Sequence, residues 1–282
     1  MVTNYIISTA EKGLELRIKQ HPESPWLRQI REWKIKSNEI SHTIFYKDSK
    51  FLQYGTVIEN AQCLADNFLR EHPNSHVTIC VDSGCNTVIS AILFNFNDKK
   101  YRYRLFFSNK LAAVGAALGI SMGCAIQDPD SLVICFSGDG GIILSQSDLI
   151  TIKEANIKNL IIFTFENSGI GLINQETFGL DIPQMDNANG YVYAPCWKSM
   201  FETNLINYYL LLHNDDCEVK KQFEKIEKNI FCRSSIVLCL MEYDTYLSPY
   251  VKFGDSLLDM MYFPGGKYPD FTECRILNAK NC

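Results

Sequence analysis

The sequence predicts an α/β fold, a doubly wound, mainly parallel sheet flanked by helices. Three observations support this prediction. Several short segments are apolar throughout, as in HVTICVDSG, SLVICFSGDG and NLIIFTFEN, which is typical of strands buried on both faces. Segments with helical spacing of apolar residues stand between them. A Gly-Asp-Gly turn follows one of the strands, and strands that alternate with helices favour a parallel sheet.

The elements follow one another in a regular order. Residues 4–36 read as polar helices and residues 37–52 as a connector, so we expect a helical, partner-docking linker at 1–48 and one domain at 49–282. Strand propensity and turn residues set the remaining predictions. They are a helix at YGTVIENAQCLADNFLREH, strands at HVTICVDSG and YRYRLFFS, a helix at KLAAVGAALGISMGCAIQ, a strand at SLVICFSGDG, a helix at SQSDLITIKEA, a strand at NLIIFTFEN, helices near 199–212 and 216–229, and a strand at SSIVLCLMEY.

Composition restricts the class of partner and the compartment. The 282 residues carry a net charge of -5 with both signs interspersed, which argues against nucleic acid and anionic membranes. The longest apolar stretch, LAAVGAALGISMGCAI, is shorter than the roughly 20 residues of a membrane span, so we interpret it as a buried helix. The amino terminus resembles no signal peptide, and the 11 cysteines form no Cys-x-x-Cys pair. We therefore expect a reduced, cytoplasmic protein.

Oxygen ligands follow two neighbouring strands of the predicted sheet. Asp139 comes directly after one apolar strand and Asn167 after the next, and parallel strands present their carboxyl ends at one edge, where ligands bind. Gly138, Gly140 and Gly141 leave backbone amides open to a phosphate at a helix amino terminus. A carboxylate and an amide oxygen suit Mg²⁺ shared with phosphate oxygens. The sequence therefore predicts a magnesium diphosphate site.

A Gly-Asp-Gly turn, a gap of 26 residues and then Asn167 within NSGIG resemble the diphosphate signature of thiamine diphosphate enzymes. The likeness is to the acetolactate synthase-like group and extends over residues 10–262. SPWLRQIREWK resembles the linker before its last domain, AAVGAALGISMGCAI its small-residue helix, and SPYVKFGDSLLDMM its tail. The resemblance implies the thiamine diphosphate-binding fold and, for this chain, the carboxyl-terminal, diphosphate-binding domain.

The resemblance also assigns roles to residues. It implies that Mg²⁺ is bound by the side chains of Asp139 and Asn167 and by the carbonyl of Gly169. It places Val114 where the family has the hydrophobic wedge that bends the cofactor, and the carbonyl of Ala112 opposite the pyrimidine amino group. Val114 is also expected to lie in the core. The implied cofactor-binding residues are Gly84, Cys85, Asn86, Ala112, Val114, Gly138, Asp139, Gly140, Gly141, Asn167, Gly169, Ile170 and Gly171.

Several positions depart from the family's pattern. Val114 stands where the family has a longer Met, Leu or Ile, Gly141 where Ser or Ala is common, and Glu166 where the family has Asn. Ile170 replaces a tyrosine and Gly119 a proline. The gap before Asn167 is one residue longer than in typical acetolactate synthases and resembles that of phosphonopyruvate and sulfopyruvate decarboxylases. These departures leave the substrate open.

The resemblance implies a subunit that decarboxylates a 2-oxo acid, with pyruvate as the first candidate, and passes the two-carbon unit to an acceptor. Family members use a glutamate from a separate pyrimidine-binding domain, and Glu59 and Glu71 match no such position. We therefore expect a split enzyme: a homodimer core whose partner chains carry that domain. The alternatives are a non-catalytic scaffold or regulatory subunit, and a decarboxylase of the phosphonopyruvate or sulfopyruvate type. We expect Cys85 to be neither a nucleophile nor a metal ligand.

Overall fold

A computed structural model of the protein describes residues 51–94, 102–107, 111–169, 171–172 and 195–241. The predicted linker at 1–48 and the tail that resembles acetolactate synthases lie outside the described residues. The helices are α1 (Tyr54–Glu71), α2 (Cys85–Leu93), α3 (Ala116–Gln127), α4 (Asp139–Leu144), α5 (Leu149–Glu154), α6 (Trp197–Thr203) and α7 (Asp216–Lys228). The strands are β1 (Val77–Val81), β2 (Tyr103–Phe107), β3 (Leu132–Gly138), β4 (Leu160–Glu166), β5 (Asn207–Leu211) and β6 (Ser235–Leu240).

The six strands form one sheet in the order β2-β1-β3-β4-β6-β5. Every neighbouring pair of these strands is parallel. The four inner strands are buried almost along their whole length, because helices cover both faces of the sheet. This arrangement confirms the predicted α/β fold and explains why these strands are apolar at successive positions rather than at alternate ones.

Two hydrophobic layers lie on opposite faces of the sheet. In one layer, α1 and α7 pack on strand residues such as Phe136 and Phe163, whose rings stack with centroids 5.4 Å apart. In the other layer, α3, α5 and α6 pack on residues such as Cys135 and Ile162. The side chains of Trp197 and Phe201 on α6 are fully buried in this second layer. The packing of these two layers fixes the positions of the strand ends, and therefore of the residues that follow them.

The structure corrects three parts of the predicted secondary structure. Residues 207–211, expected to be helical, form strand β5, because the chain turns at Leu205 with φ +58° and then pairs with β6. The helix expected from Lys110 begins at Ala116, after Gly115 in the left-handed conformation. Helix α2 was not assigned from the sequence. It begins directly after Gly84, whose φ of +97° is accessible to glycine.

The apolar stretch from 111 to 126 is only partly the buried helix that we expected. Within it, α3 buries one face through Ala117, Leu118 and Met122, whereas Leu111 and Ile126 are exposed. No helix in the described part of the chain combines the length and the apolar character that crossing a bilayer requires.

Candidate functional site

The candidate site lies at a point where the direction of the chain across the sheet reverses. From β1 the chain goes outward to β2, and it then returns to β3, which is the other neighbour of β1. Connections that leave two adjacent strands in opposite directions open a crevice at their carboxyl ends, and ligands bind there in open α/β sheets. Residues 82–86 follow β1 and residues 138–141 close β3, so both segments border this crevice.

Glycines allow the close approach of segments at this edge. A Cβ on Gly138 would lie 2.8 Å from Nδ2 of Asn86, closer than real Cβ contacts allow. A Cβ on Gly171 would lie 3.3 Å from Nδ2 of Asn167 and 3.7 Å from Sγ of Cys85. The structure therefore brings together predicted residues that follow β1, β3 and β4.

The two predicted metal ligands follow adjacent strands. Because β3 and β4 are parallel, with Gly138 opposite Phe165, Asp139 and Asn167 lie at the same edge of the sheet. Asp139 is 3% exposed, and its Oδ1 accepts the backbone N–H of Gly140 at 2.7 Å. The Oδ1 of Asn167 accepts the N–H of Gly169 at 3.2 Å. An oxygen of this kind has two lone pairs, so each can bind a metal ion in addition to accepting this hydrogen bond.

This donor set fits Mg²⁺. A carboxylate, an amide oxygen and the backbone carbonyl of Gly169 are hard oxygen ligands, and Mg²⁺ is commonly held by one or two such side chains together with phosphate oxygens. Among the described residues, no three His, Cys, Asp or Glu side chains converge as a transition-metal site would require. The chemistry of the edge therefore favours magnesium with a phosphate over zinc or iron.

Asp82 is a polar residue at this edge that the sequence analysis did not select. It directly follows β1, is 2% exposed, and both of its carboxylate oxygens accept the N–H of Gly115 at 3.0 Å. Its Oδ2 also accepts the hydroxyl of Ser137 at 2.8 Å. The signal was present in the sequence, because an acidic residue ends the apolar run of β1 just as Asp139 ends that of β3.

The loop of residues 111–115 presents apolar side chains next to this edge. Val114 is 49% exposed, so the expectation that it is a core residue was wrong. Leu111 is 88% exposed and Leu144, which adjoins Gly115, is 69% exposed. Ala112 has φ +46°, a conformation that costs a non-glycine residue about 1 kcal/mol. Strain of this kind is often found at functional sites.

Two further residues at the edge, one half-buried and one buried, carry a thiol and a carboxyl group. Burial raises the pKa of the Cys85 thiol to about 12, so the thiol stays neutral at physiological pH. Glu166 is 1% exposed, and its Oε1 accepts the hydroxyl of Ser168 at 2.7 Å. Ile170 lies outside the described residues.

The fold and its carboxyl-terminal edge define a parallel α/β protein with oxygen ligands and glycines at the strand ends. Comparison with known families identifies which family this is. The family model described as thiamine pyrophosphate enzyme, C-terminal TPP binding domain, matches residues 82–230. This match covers more than half of the chain and includes the residues that follow β1 and the carboxyl ends of β3 and β4. The chain belongs to this family, which confirms the resemblance found in the sequence.

The curated relatives include large subunits of acetolactate synthase. The chain is 28% identical over 123 residues to acetolactate synthase isozyme 1 large subunit of Escherichia coli, and 28% identical over 156 residues to the acetolactate synthase large subunit of Buchnera aphidicola. These matches cover 44% and 55% of this chain and 20% and 24% of the relatives. A probable large subunit from Methanococcus aeolicus is 34% identical over 103 residues, which are 36% of this chain and 16% of the relative. The chain thus spans about a fifth of the length of these relatives.

Proposed function

We propose that this chain is the diphosphate-binding subunit of a split enzyme that depends on thiamine diphosphate and Mg²⁺. The observation that supports the proposal most is the position of Asp139 and Asn167, which follow two adjacent parallel strands in a chain of the thiamine pyrophosphate enzyme family. The substrate in this proposal is a 2-oxo acid, with pyruvate as the first candidate. The products are CO₂ and a two-carbon unit passed to an acceptor.

In the proposal, different residues at the carboxyl-terminal edge bind the metal ion and the diphosphate of the cofactor. Asp139, Asn167 and the carbonyl of Gly169 hold Mg²⁺, which neutralises the diphosphate. Gly138, Gly140 and Gly141 offer their backbone to the diphosphate at the amino-terminal end of α4. When bound, thiamine diphosphate supplies the carbanion chemistry of decarboxylation.

On the opposite side of the crevice, Gly84, Cys85 and Asn86 close around the diphosphate. The neutral thiol of Cys85 adds no negative charge beside the phosphates, because burial raises its pKa to about 12. The loop that contains Ala112 and Val114 supports the rings of the cofactor. Ile170 and Gly171 complete the set after β4.

We further propose that the glutamate that activates the cofactor comes from a second chain with a pyrimidine-binding domain. The exposed apolar side chains of Leu111, Val114 and Leu144 next to the candidate site support this proposal, because apolar surface of this kind is favourable once a partner covers it. The proposed assembly is a homodimer of this chain with two partner chains, in the cytoplasm.

The second candidate is a non-catalytic scaffold or regulatory subunit that keeps the fold. The short, half-exposed Val114 at the wedge position and the carboxylate of Glu166 beside Asn167 favour it. The third candidate is a decarboxylase of the phosphonopyruvate or sulfopyruvate type. It is supported by the number of residues between the Gly-Asp-Gly turn and Asn167.

Calorimetric titration of thiamine diphosphate with Mg²⁺ tests the proposal, on the chain alone and with candidate partner chains. We expect Asp139→Ala to abolish measurable binding, because the variant removes a metal ligand. Asp128→Ala is the matched control. It removes the same charge from the opposite edge of the sheet, where Asp128 pairs with Arg104 at 3.3 Å, and should leave the affinity unchanged.

Binding that requires Asp139, followed by CO₂ release from pyruvate once the partner is added, would support the split enzyme. Binding without turnover of any 2-oxo acid in the presence of the partner would favour the non-catalytic subunit. If the wild-type chain binds no thiamine diphosphate with or without a partner, the proposal is wrong.

A further inference from the structure

We infer that Asp82 is a positioning residue, which sets the distance between the loop of residues 111–115 and the turn of residues 138–141. The inference rests on the proposed function, since these two segments would hold the rings and the diphosphate of the cofactor respectively. Asp82 does this through its carboxylate, which joins Gly115 on the loop to Ser137 at the end of β3.

The first argument concerns how the loop is attached. The backbone N–H of Gly115 donates to both oxygens of Asp82, each at 3.0 Å. Gly115 has φ +88° and directly precedes α3, so Asp82 holds the residue from which α3 begins. A carboxylate at this point is stabilised by the positive end of the dipole of α3, whose 12 residues begin there. Within the described part of the chain, no basic side chain pairs with Asp82.

The second argument concerns the space that the carboxylate occupies. A Cβ on Gly141 would overlap Oδ2 of Asp82 and lie 2.5 Å from Oγ of Ser137. Asp82 cannot rotate away without losing its bonds to Gly115 and Ser137. The carboxylate thus fills the space that a side chain at position 141 would need.

The third argument concerns how tightly the loop and the turn are joined. A Cβ on Gly115 would lie 3.0 Å from the carbonyl oxygen of Gly141. That carbonyl also accepts the hydroxyl of Ser145 at 2.8 Å, which holds it in place. Gly115 is thus enclosed between Asp82 and the backbone of α4. The positions of Ala112 and Val114, which belong to the same loop, depend on this enclosure.

Asp82 is buried below the surface at which a cofactor would bind. It is 2% exposed, whereas Val114 on the loop that it attaches is 49% exposed. Loss of the carboxylate would free the loop without removing a contact to the cofactor. The loop would then lose conformational entropy when the cofactor binds, and this loss lowers the affinity.

The test is the dissociation constant of thiamine diphosphate with saturating Mg²⁺, measured by calorimetry on the full chain with its partner where binding requires one. We expect Asp82→Ala to weaken binding about tenfold or more, because it leaves the loop unattached. Asp82→Asn should weaken it about threefold or less, because its amide oxygen still accepts the N–H of Gly115 while Ser137 accepts from the amide nitrogen.

Asn159→Ala is the matched control. Asn159 is equally buried, and its amide donates to three backbone carbonyls at the opposite edge of the sheet. This variant should lose stability and keep its dissociation constant within about twofold of the wild type, since its contacts lie far from the loop. The control thus separates a change in cofactor positioning from a general loss of stability.

Each outcome decides the inference. A weakening by Asp82→Ala that Asp82→Asn largely restores and Asn159→Ala does not reproduce supports it. If Asp82→Ala binds within about twofold of the wild type, or no more weakly than the control, Asp82 has a structural role alone and the inference is wrong. If the wild type binds no thiamine diphosphate, the proposed function fails and the inference fails with it.

Discussion

At the amino-terminal edge of the sheet, buried polar side chains join the turns between elements, whereas at the carboxyl-terminal edge they join the segments that border the candidate site. The amide of Asn159 donates to the carbonyls of Ala125, Asp128 and Ser131 at 2.7–3.3 Å. The hydroxyl of Ser234 donates to the carbonyl of Ile157 at 2.7 Å. These bonds tie neighbouring turns together, as expected of an edge whose role is stability.

The carboxyl-terminal edge is built around a carboxylate, glycines and strained backbone. Asp82 holds a loop by its backbone, Gly138 and Gly141 admit neighbouring side chains where a Cβ would collide, and Ala112 adopts a positive φ. None of these features is needed to pair the strands. The comparison shows that one sheet carries two kinds of buried polar group. One kind stabilises the fold, and the other positions the segments of the candidate site.

Asn159→Ala should have the largest effect on stability. We expect the free energy of unfolding to fall by about 3 kcal/mol, because the two N–H groups that these three carbonyls share are lost in a buried setting. Urea unfolding measures this change. The control is Asn204→Ala, which loses one bond to the carbonyl of Met200 and should cost about 1 kcal/mol. Equal losses in the two variants would contradict the fastening role of Asn159.

Gly141→Ala should have the next largest effect. The added methyl overlaps the carboxylate of Asp82, and overpacking of this kind costs about 2 kcal/mol. Gly119→Ala is the matched control. Gly119 lies on helix α3, and a Cβ added there would have no neighbouring atom within 4 Å. The gain in helix propensity should therefore stabilise the protein by up to about 1 kcal/mol.

The same substitution behaves differently once Asp82 is removed. In an Asp82→Ala background the methyl at 141 no longer overlaps a carboxylate, and its close contact with Oγ of Ser137 remains. The cost of Gly141→Ala should therefore be smaller in that background, as measured in a double-mutant cycle followed by urea unfolding. Additive effects of the two substitutions would show that the carboxylate does not occupy that space.

The smallest effect concerns thiol reactivity and its pH dependence. Burial raises the pKa of Cys85 to about 12, so its thiolate fraction at pH 8 is about one in 10⁴. Its alkylation should be at least about 100-fold slower than that of the exposed Cys63 and Cys232. Because the raised pKa keeps the thiol protonated, the rate should rise about tenfold for each pH unit until the pH approaches 12.

Peptide mapping after timed alkylation measures these rates without unfolding the protein. Labelling of Cys85 as fast as that of Cys232 would show that the edge beside β1 is open enough to ionise a thiol. The description of Cys85 as a thiol that burial keeps neutral would then be wrong.

The buried elements could be predicted from the sequence, and the backbone conformations between them could not. Continuously apolar runs located β1, β3, β4 and β6 because both faces of these strands are buried. The start of α3 was missed by six residues, since its true boundary depends on the bond from Gly115 to Asp82. Strand β5 was taken for a helix because its register is fixed by pairing with β6 rather than by its own pattern.

The candidate site shows the same division. Asp139 and Asn167 follow recognisable strands, and the spacing of the Gly-Asp-Gly turn pointed to them directly. Asp82 carries the same local signal, an acidic residue after an apolar strand, but its role depends on contacts with residues 33 and 55 positions away along the chain. A local sequence pattern does not show which residues meet at such separations along the chain.

Hydrogen exchange followed by mass spectrometry, with and without thiamine diphosphate and Mg²⁺, tests the division of the two edges most directly. We predict that amides in residues 82–86, 111–115 and 138–141 exchange more slowly when the cofactor is present. Amides in residues 155–160 and 230–235, at the other edge, should exchange at unchanged rates. Protection confined to the amino-terminal edge, or absent from both edges while the cofactor is bound, would contradict the account.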